Sequence, residues 1–144
     1  MAVTEIRRRA SGRTTNPETV LDTALNSLAS AGSATSAAFS NDGTTELSML
    51  VDVEIVLASL TPGTNPRIEI WMLASIDSTN YPDTGILVGS IEITTGASAK
   101  REVIYDLPVP LKDFKVKLVN QAGVALAATG NTVKLNPYNV QLNG

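Results

Sequence analysis

Hydrophobic and polar positions alternate most strictly over residues 47–83. Leu47, Met49, Val51, Val53, Ile55 and Leu57 share one parity, and Ser48, Asp52 and Glu54 fall on the other. Successive side chains of an extended strand point to opposite faces, so this is the pattern of a half-buried strand. Further on, Ile68, Ile70, Met72, Ala74 and Ile76 form the apolar set, while Arg67, Glu69, Trp71 and Ser75 point the other way. Between the two runs, Pro62, Gly63, Asn65 and Pro66 forbid regular pairing and make a loop. The two runs are expected to face each other across that loop as a hairpin at the centre of a sheet.

Shorter patterned runs follow at 86–94, 100–107, 113–120 and 132–141, separated by turn residues. Val103, Tyr105 and Leu107 alternate with Glu102 and Asp106; Phe114, Val116 and Leu118 alternate with Lys115 and Lys117. Pro137 in the last run marks an edge or a bulge. The stretch 18–32 admits two readings. As a helix it has Asn16 as N-cap, Pro17 in the first turn, Val20, Leu21, Ala24, Leu25 and Leu28 on one stripe, and Gly32 as stop. As a strand it sets Leu21, Thr23 and Leu25 on one face, ahead of a small-residue strand over 33–39. The strand is preferred, because the surrounding pattern is all-β and needs edge partners. The expected architecture is an all-β jelly roll or two-sheet β-sandwich of about eight antiparallel strands. An extended basic N-terminal arm, 1–16, precedes the sandwich domain, 17–144.

Length supports one domain: 144 residues bury roughly two-thirds of their unfolded surface in a single core. There is no cysteine and no histidine, which removes disulfides, thiolate and imidazole metal sites, and the Ser-His-Asp and Cys-His nucleophile systems. No phosphate-cradling glycine pattern occurs, so no cofactor is implied and no enzymatic role is expected. With no apolar run of membrane-spanning length and no apolar stretch behind the basic N-terminus, the protein is expected to act without export and without a membrane partner. Asp52 and Glu54, with Glu69 on the presumed neighbouring strand, have the residue types of a glycosidase pair or a calcium site, and the loop carboxylates Asp77 and Asp83 could likewise ligate calcium together with backbone carbonyls, though without EF-hand-like spacing. A solvated strand face and ordinary turn chemistry account for all of them more simply.

Charge is uneven. Residues 1–16 hold Arg7, Arg8, Arg9 and Arg13 against Glu5, a net of +3, whereas the remainder holds 7 basic and 13 acidic residues, a net of −6. Such an arm suits nucleic acid, anionic lipid or the acidic face of another protein, among which charge alone does not choose, and a solvated tail accounts for it equally well. It has no interleaved aromatics and no nucleic-acid module beside it, so nucleic acid is not the expected partner. Trp71 falls opposite the apolar parity, where a ring is left in water unless something covers it. Burial under a loop or subunit is favoured over sugar stacking, for which Tyr81 or Tyr138 would supply a second surface.

The segments 25–41, 51–83 and 96–139, with LASLTP at 57–62, TNYPD at 79–83 and ALAATGNTVKLNPYN at 125–139, resemble a family of small structural proteins of tailed-bacteriophage virions, the jelly-roll decoration or cement proteins. The basic arm lies outside the recurring pattern. The resemblance implies a non-enzymatic protein that binds and stabilises the head shell, with the major capsid protein as partner and the virion, assembled in the host cytoplasm, as its location. It also implies a homo-oligomer, dimer or trimer. Arg7, Arg8, Arg9, Arg13, Trp71 and Tyr81 are then the candidate partner-binding residues, with the arm ordering on contact. The alternative is a carbohydrate-binding or host-recognition module of a phage tail, using Trp71 with Tyr81 or Tyr138.

Overall fold

A computed structural model describes residues 5–10, 16–41 and 47–143, with side chains for 16–41 and 47–140. Among these residues nine strands form two antiparallel sheets, a β-sandwich of jelly-roll type. They are β1 Glu5–Ala10, β2 Glu18–Leu21, β3 Ser33–Thr35, β4 Leu50–Leu57, β5 Arg67–Ala74, β6 Ile86–Glu92, β7 Lys100–Pro108, β8 Phe114–Gln121 and β9 Thr132–Asn143. The first sheet runs β1-β9-β4-β7, with β2 also on β9; the second runs β3-β8-β5-β6.

The alternation over 47–83 identifies the buried faces correctly but not the partners. β4 and β5 are not a hairpin: they lie in different sheets and face each other through the core. Period-two patterning states which side of a strand is buried, and a neighbour in the same sheet or a strand across the sandwich satisfies it equally. The loop between them crosses from one sheet to the other and is pinned on the way by the Gly63 N–H, which donates to the Ala122 carbonyl at 2.8 Å. Val51, Val53, Ile55 and Leu57 of β4 and Val133 and Leu135 of β9 meet Ile68, Ile70 and Met72 of β5 and Phe114, Val116 and Leu118 of β8. Fully burying each such side chain contributes about 1.5–3 kcal/mol. Leu47, Met49 and Ile76, expected to share these faces, lie beyond the ends of β4 and β5 and are exposed.

Residues 18–32 combine the two readings. β2 occupies 18–21, then a single 3-10 turn, Thr23–Leu25, buries Leu25. The Asp22 side chain accepts from the Thr23 N–H and caps that turn. Positive φ at Ser27 and Ala31 ends any continuing helix. β3 covers only 33–35, after which Phe39 makes a lone bridge to Phe114, their ring centroids 5.0 Å apart.

The backbone of Glu5–Ala10, expected as an arm that orders on contact, is a sheet strand: Arg7, Arg8 and Arg9 stand opposite Gln141, Val140 and Asn139 of β9. β1 and β2 occupy successive stretches of the same side of β9, 138–143 and 133–135, while β4 takes its other side. Pro137 falls in the gap between β1 and β2, so its missing N–H interrupts no ladder; the Asn16 amide donates to its carbonyl there at 3.3 Å.

Buried asparagines hold the loops. The Asn120 amide, fully buried, donates to the carbonyls of Leu28, Ala29 and Val124 at 2.9–3.1 Å, and its carbonyl accepts from the Ala122 N–H at 2.9 Å. Asn41 bonds the backbone of Ser48 in both directions and donates to the Pro110 carbonyl.

Candidate functional site

On the outer face of the first sheet, strand register assembles a polar floor. The β4–β9 pairing sets Asp52 opposite Asn136 and Glu54 opposite Lys134. On the other side of β4 the ladder slips: Val51 pairs Leu107 and Val53 pairs Ile104, so Tyr105 and Asp106 together oppose Asp52. Such a two-against-one bulge re-aims side chains, and Asp106 accordingly has φ 57°. Beyond the bulge Leu107 packs against the core, whereas before it Ile104 does, leaving Val103 and Tyr105 on the outer face. The expected single face of Val103, Tyr105 and Leu107 is therefore broken at this slip.

The bulge also fixes Asp52. Its carboxylate accepts the Asp106 N–H at 3.1 Å and the Asn136 amide at 3.4 Å, and only 6 % of the residue is exposed. Tyr138 is buried and its hydroxyl donates to the Asp106 carboxylate, which withdraws it from the sugar-stacking role considered for it. Arg101 lies 3.7 Å from the Glu54 carboxylate. The resulting cleft, about 250 Å³, has Asp52, Glu54, Lys134 and Asn136 at its base. Pro17, beside β2, and Tyr105, on β7, border it from opposite sides of the β9–β4 pair. Tyr105 is 65 % exposed.

Trp71 and Tyr81 lie on the other sheet. Trp71 stands opposite Lys117 of β8, whose ammonium is 5.4 Å from the ring centroid and donates to the Asp83 and Thr84 carbonyls at 3.1 and 3.0 Å. The indole N–H donates to Glu69 at 3.2 Å, and Glu69 also accepts from Arg67 at 2.9 Å. Trp71 is thus half-buried, flanked by a lysine that ties down the β5–β6 loop. Asp77 organises that loop, accepting from the Thr79 and Asn80 N–H groups at 2.9 and 2.7 Å, from the Asn80 amide at 2.8 Å and from the Ser75 hydroxyl at 3.0 Å. These donors, Asn80 foremost, hold its carboxyl far below the usual carboxylate range. Tyr81, on the same loop, carries Lys115 4.3 Å from its ring centroid. Its hydroxyl is buried, and burial, then the carboxylates of Asp113 and Asp77, raise its pKa.

The sequence-derived candidates therefore do not converge on one site. Trp71 and Tyr81 share the second sheet and its loop, Arg7, Arg8 and Arg9 sit on the far strand of the first sheet, and Arg13 lies outside the described residues, as do the side chains of the other three. Among the described residues no group of three or more carboxylates could hold a metal ion. Tyr105, Lys134 and Asn136 were not singled out in the sequence, which carries no signal for the ladder slip that turns Tyr105 outward.

No family model and no curated protein matches this chain. Similar solved structures include the CBM36-1 domain of a multidomain xylanase from the hindgut metagenome of Trinervitermes trinervoides, with a TM-score of 0.45 and 10 % identity over 97 % of this chain and 98 % of that one. Another is CBM35 from Cellvibrio japonicus Abf62, with a TM-score of 0.49 and 10 % identity over 97 % and 99 %. The Podospora anserina GH26-CBM35 β-(1,4)-mannanase gives a TM-score of 0.48 and 15 % identity over 92 % of this chain, which spans 27 % of that enzyme's. At these identities the likeness is one of fold.

Proposed function

We propose that this chain is a non-catalytic carbohydrate-binding module that seats one sugar ring in the cleft of the first sheet. The observation that carries this reading is the outward Tyr105 ring beside the fixed Asp52 carboxylate. A sugar presents apolar C–H faces and a rim of hydroxyls. The ring and Pro17 suit the faces, while Asp52, Glu54, Asn136 and Lys134 suit the rim. Because Asp52 is already held by the backbone and by Asn136, little side-chain entropy is lost on binding. The volume lies below the roughly 300 Å³ at which drug-sized pockets begin, which suits a single sugar unit. A glycan array followed by calorimetry tests the proposal: wild type should retain a glycan that Tyr105→Ala loses, and a silent wild type would sink it.

A second reading is a bacteriophage capsid decoration protein with the major capsid protein as partner. The resemblance over 25–41, 51–83 and 96–139 supports it, as does the exposure of Ile76 (91 %), Met49 and Leu111 (57 % each), apolar side chains suited to a protein partner. Co-sedimentation with shells lacking this protein tests it; absence from the pellet would refute it.

A further inference from the structure

Three ionic side chains line the cleft of the first sheet, and they are unequally committed. Asp52 is almost wholly buried, and its carboxylate is held by the Asp106 N–H and the Asn136 amide. Glu54 stands opposite Lys134 in the β4–β9 ladder, yet its carboxylate turns to β7, where Arg101 lies 3.7 Å away. That leaves Lys134. It is half-buried in the interior of the sheet, between Thr19 of β2 and Glu54 of β4. Among the described residues its ammonium has neither an acceptor nor a ring for a partner. Every other described basic side chain that is buried or half-buried is engaged. Lys100 donates to the Gly96 carbonyl and the Ser98 hydroxyl, Lys115 stands over the Tyr81 ring, and Lys117 donates to the Asp83 and Thr84 carbonyls.

A ring seated in the cleft strips water from that ammonium, and an ammonium without water needs an acceptor. The hydroxyls of a neutral sugar are weak acceptors beside a carboxylate, whose charge-assisted bond to an ammonium is roughly twice as strong. We infer that the sugar unit this cleft takes is a uronate, with its carboxylate on the Lys134 ammonium. The inference rests on the sugar reading above and names the class of sugar. The two carboxylates at the base leave room for the added charge: Arg101 offsets Glu54, and two donors already share the charge of Asp52. Size favours a uronate over a sugar carrying a sulfate ester. A uronate differs from a neutral hexose only in the oxidation state of its exocyclic carbon, so it fills the cleft of about 250 Å³ as a neutral ring would, whereas a sulfate ester adds a bulky tetrahedral group.

Calorimetry on the full chain with paired glycans tests the inference, each pair being an oligosaccharide with uronate units and the same oligosaccharide after carboxyl reduction. Wild type should bind the uronate member about tenfold tighter, an advantage that shrinks as added salt screens the charges. Lys134→Met, which keeps the apolar stem, should bring the two members within about a factor of two of each other with an unchanged thermal melt. Lys112→Met, at an exposed position outside the cleft, should keep the advantage. Equal binding of the pair by wild type, a preference that survives Lys134→Met, or tighter binding of a sulfate ester than of the uronate overturns the inference and leaves the sugar reading standing. Binding of no glycan at all brings down the sugar reading, and the uronate with it.

Discussion

Truncating Tyr105 to alanine removes one wall of the proposed sugar cleft without touching its floor. An aromatic side chain offers roughly 150–250 Å², so a ring in a residue 65 % exposed presents about 130 Å² to solvent. A sugar stacked on one face covers about half of that, worth ~1.5 kcal/mol at ~25 cal/mol per Å². Tyr105→Ala should therefore raise Kd about tenfold. The fold should be spared, since an exposed substitution away from the core costs less than about 0.5 kcal/mol. Calorimetry on the glycan retained by wild type measures the first quantity, and a thermal melt the second. Trp71→Ala is the matched control: its ring is flanked by Lys117 on the opposite sheet, and its removal should leave Kd unchanged. If binding survives Tyr105→Ala within a factor of two, or is lost in Trp71→Ala instead, the cleft is not the site.

Asp52→Ala should remove the acceptor of the part-buried Asp106 N–H and lower stability by about 1 kcal/mol, read as a drop of a few degrees in Tm by circular dichroism. Asn120→Ala leaves three carbonyls and one N–H without their side-chain partner, and should exceed about 3 kcal/mol in urea unfolding; a smaller loss would mean that water replaces the amide. Leu118→Ala, in the packed core between the sheets, should cost about 2–5 kcal/mol by the same assay. Asp77 has a folded-state pKa below its unfolded value, so its contribution is complete above the ordinary carboxylate value, about 3.9, and is lost as pH falls toward the depressed one. Melts recorded from about pH 5 to pH 2 should steepen in wild type relative to Asp77→Asn; parallel curves would refute the assignment.

What the sequence makes legible here is orientation within a strand, and what it hides is pairing between strands. Val51 through Leu57 and Ile68 through Met72 announce their buried sides because burial acts residue by residue along a two-fold period. That β4 neighbours β7 and β9 rather than β5 depends on loop paths and long-range register, for which alternation carries no term. The cleft was half visible. Asp52 and Glu54 were on the expected outer face, but the burial of Asp52 follows from one inserted residue on β7, 54 positions away. Trp71 lies off the core face, as its parity predicts; its contacts with Glu69 and Lys117 arise from strand neighbours that alternation alone does not identify.

The position of β9 bears on how this chain must fold. The last of the nine described strands is an interior member of its sheet, holding β4 on one side and β1 and β2 on the other. A ribosome releases β1 first and β9 last among them, so both N-terminal strands wait, unpaired, for nearly the whole of synthesis. Topology of this kind places folding at the slow end for domains of similar stability, because the largest loops must close before the first sheet gains its middle. A stop codon ahead of Thr132 would thus do more than trim an edge: it would leave two strands with no partner and a half-open core exposed to aggregation.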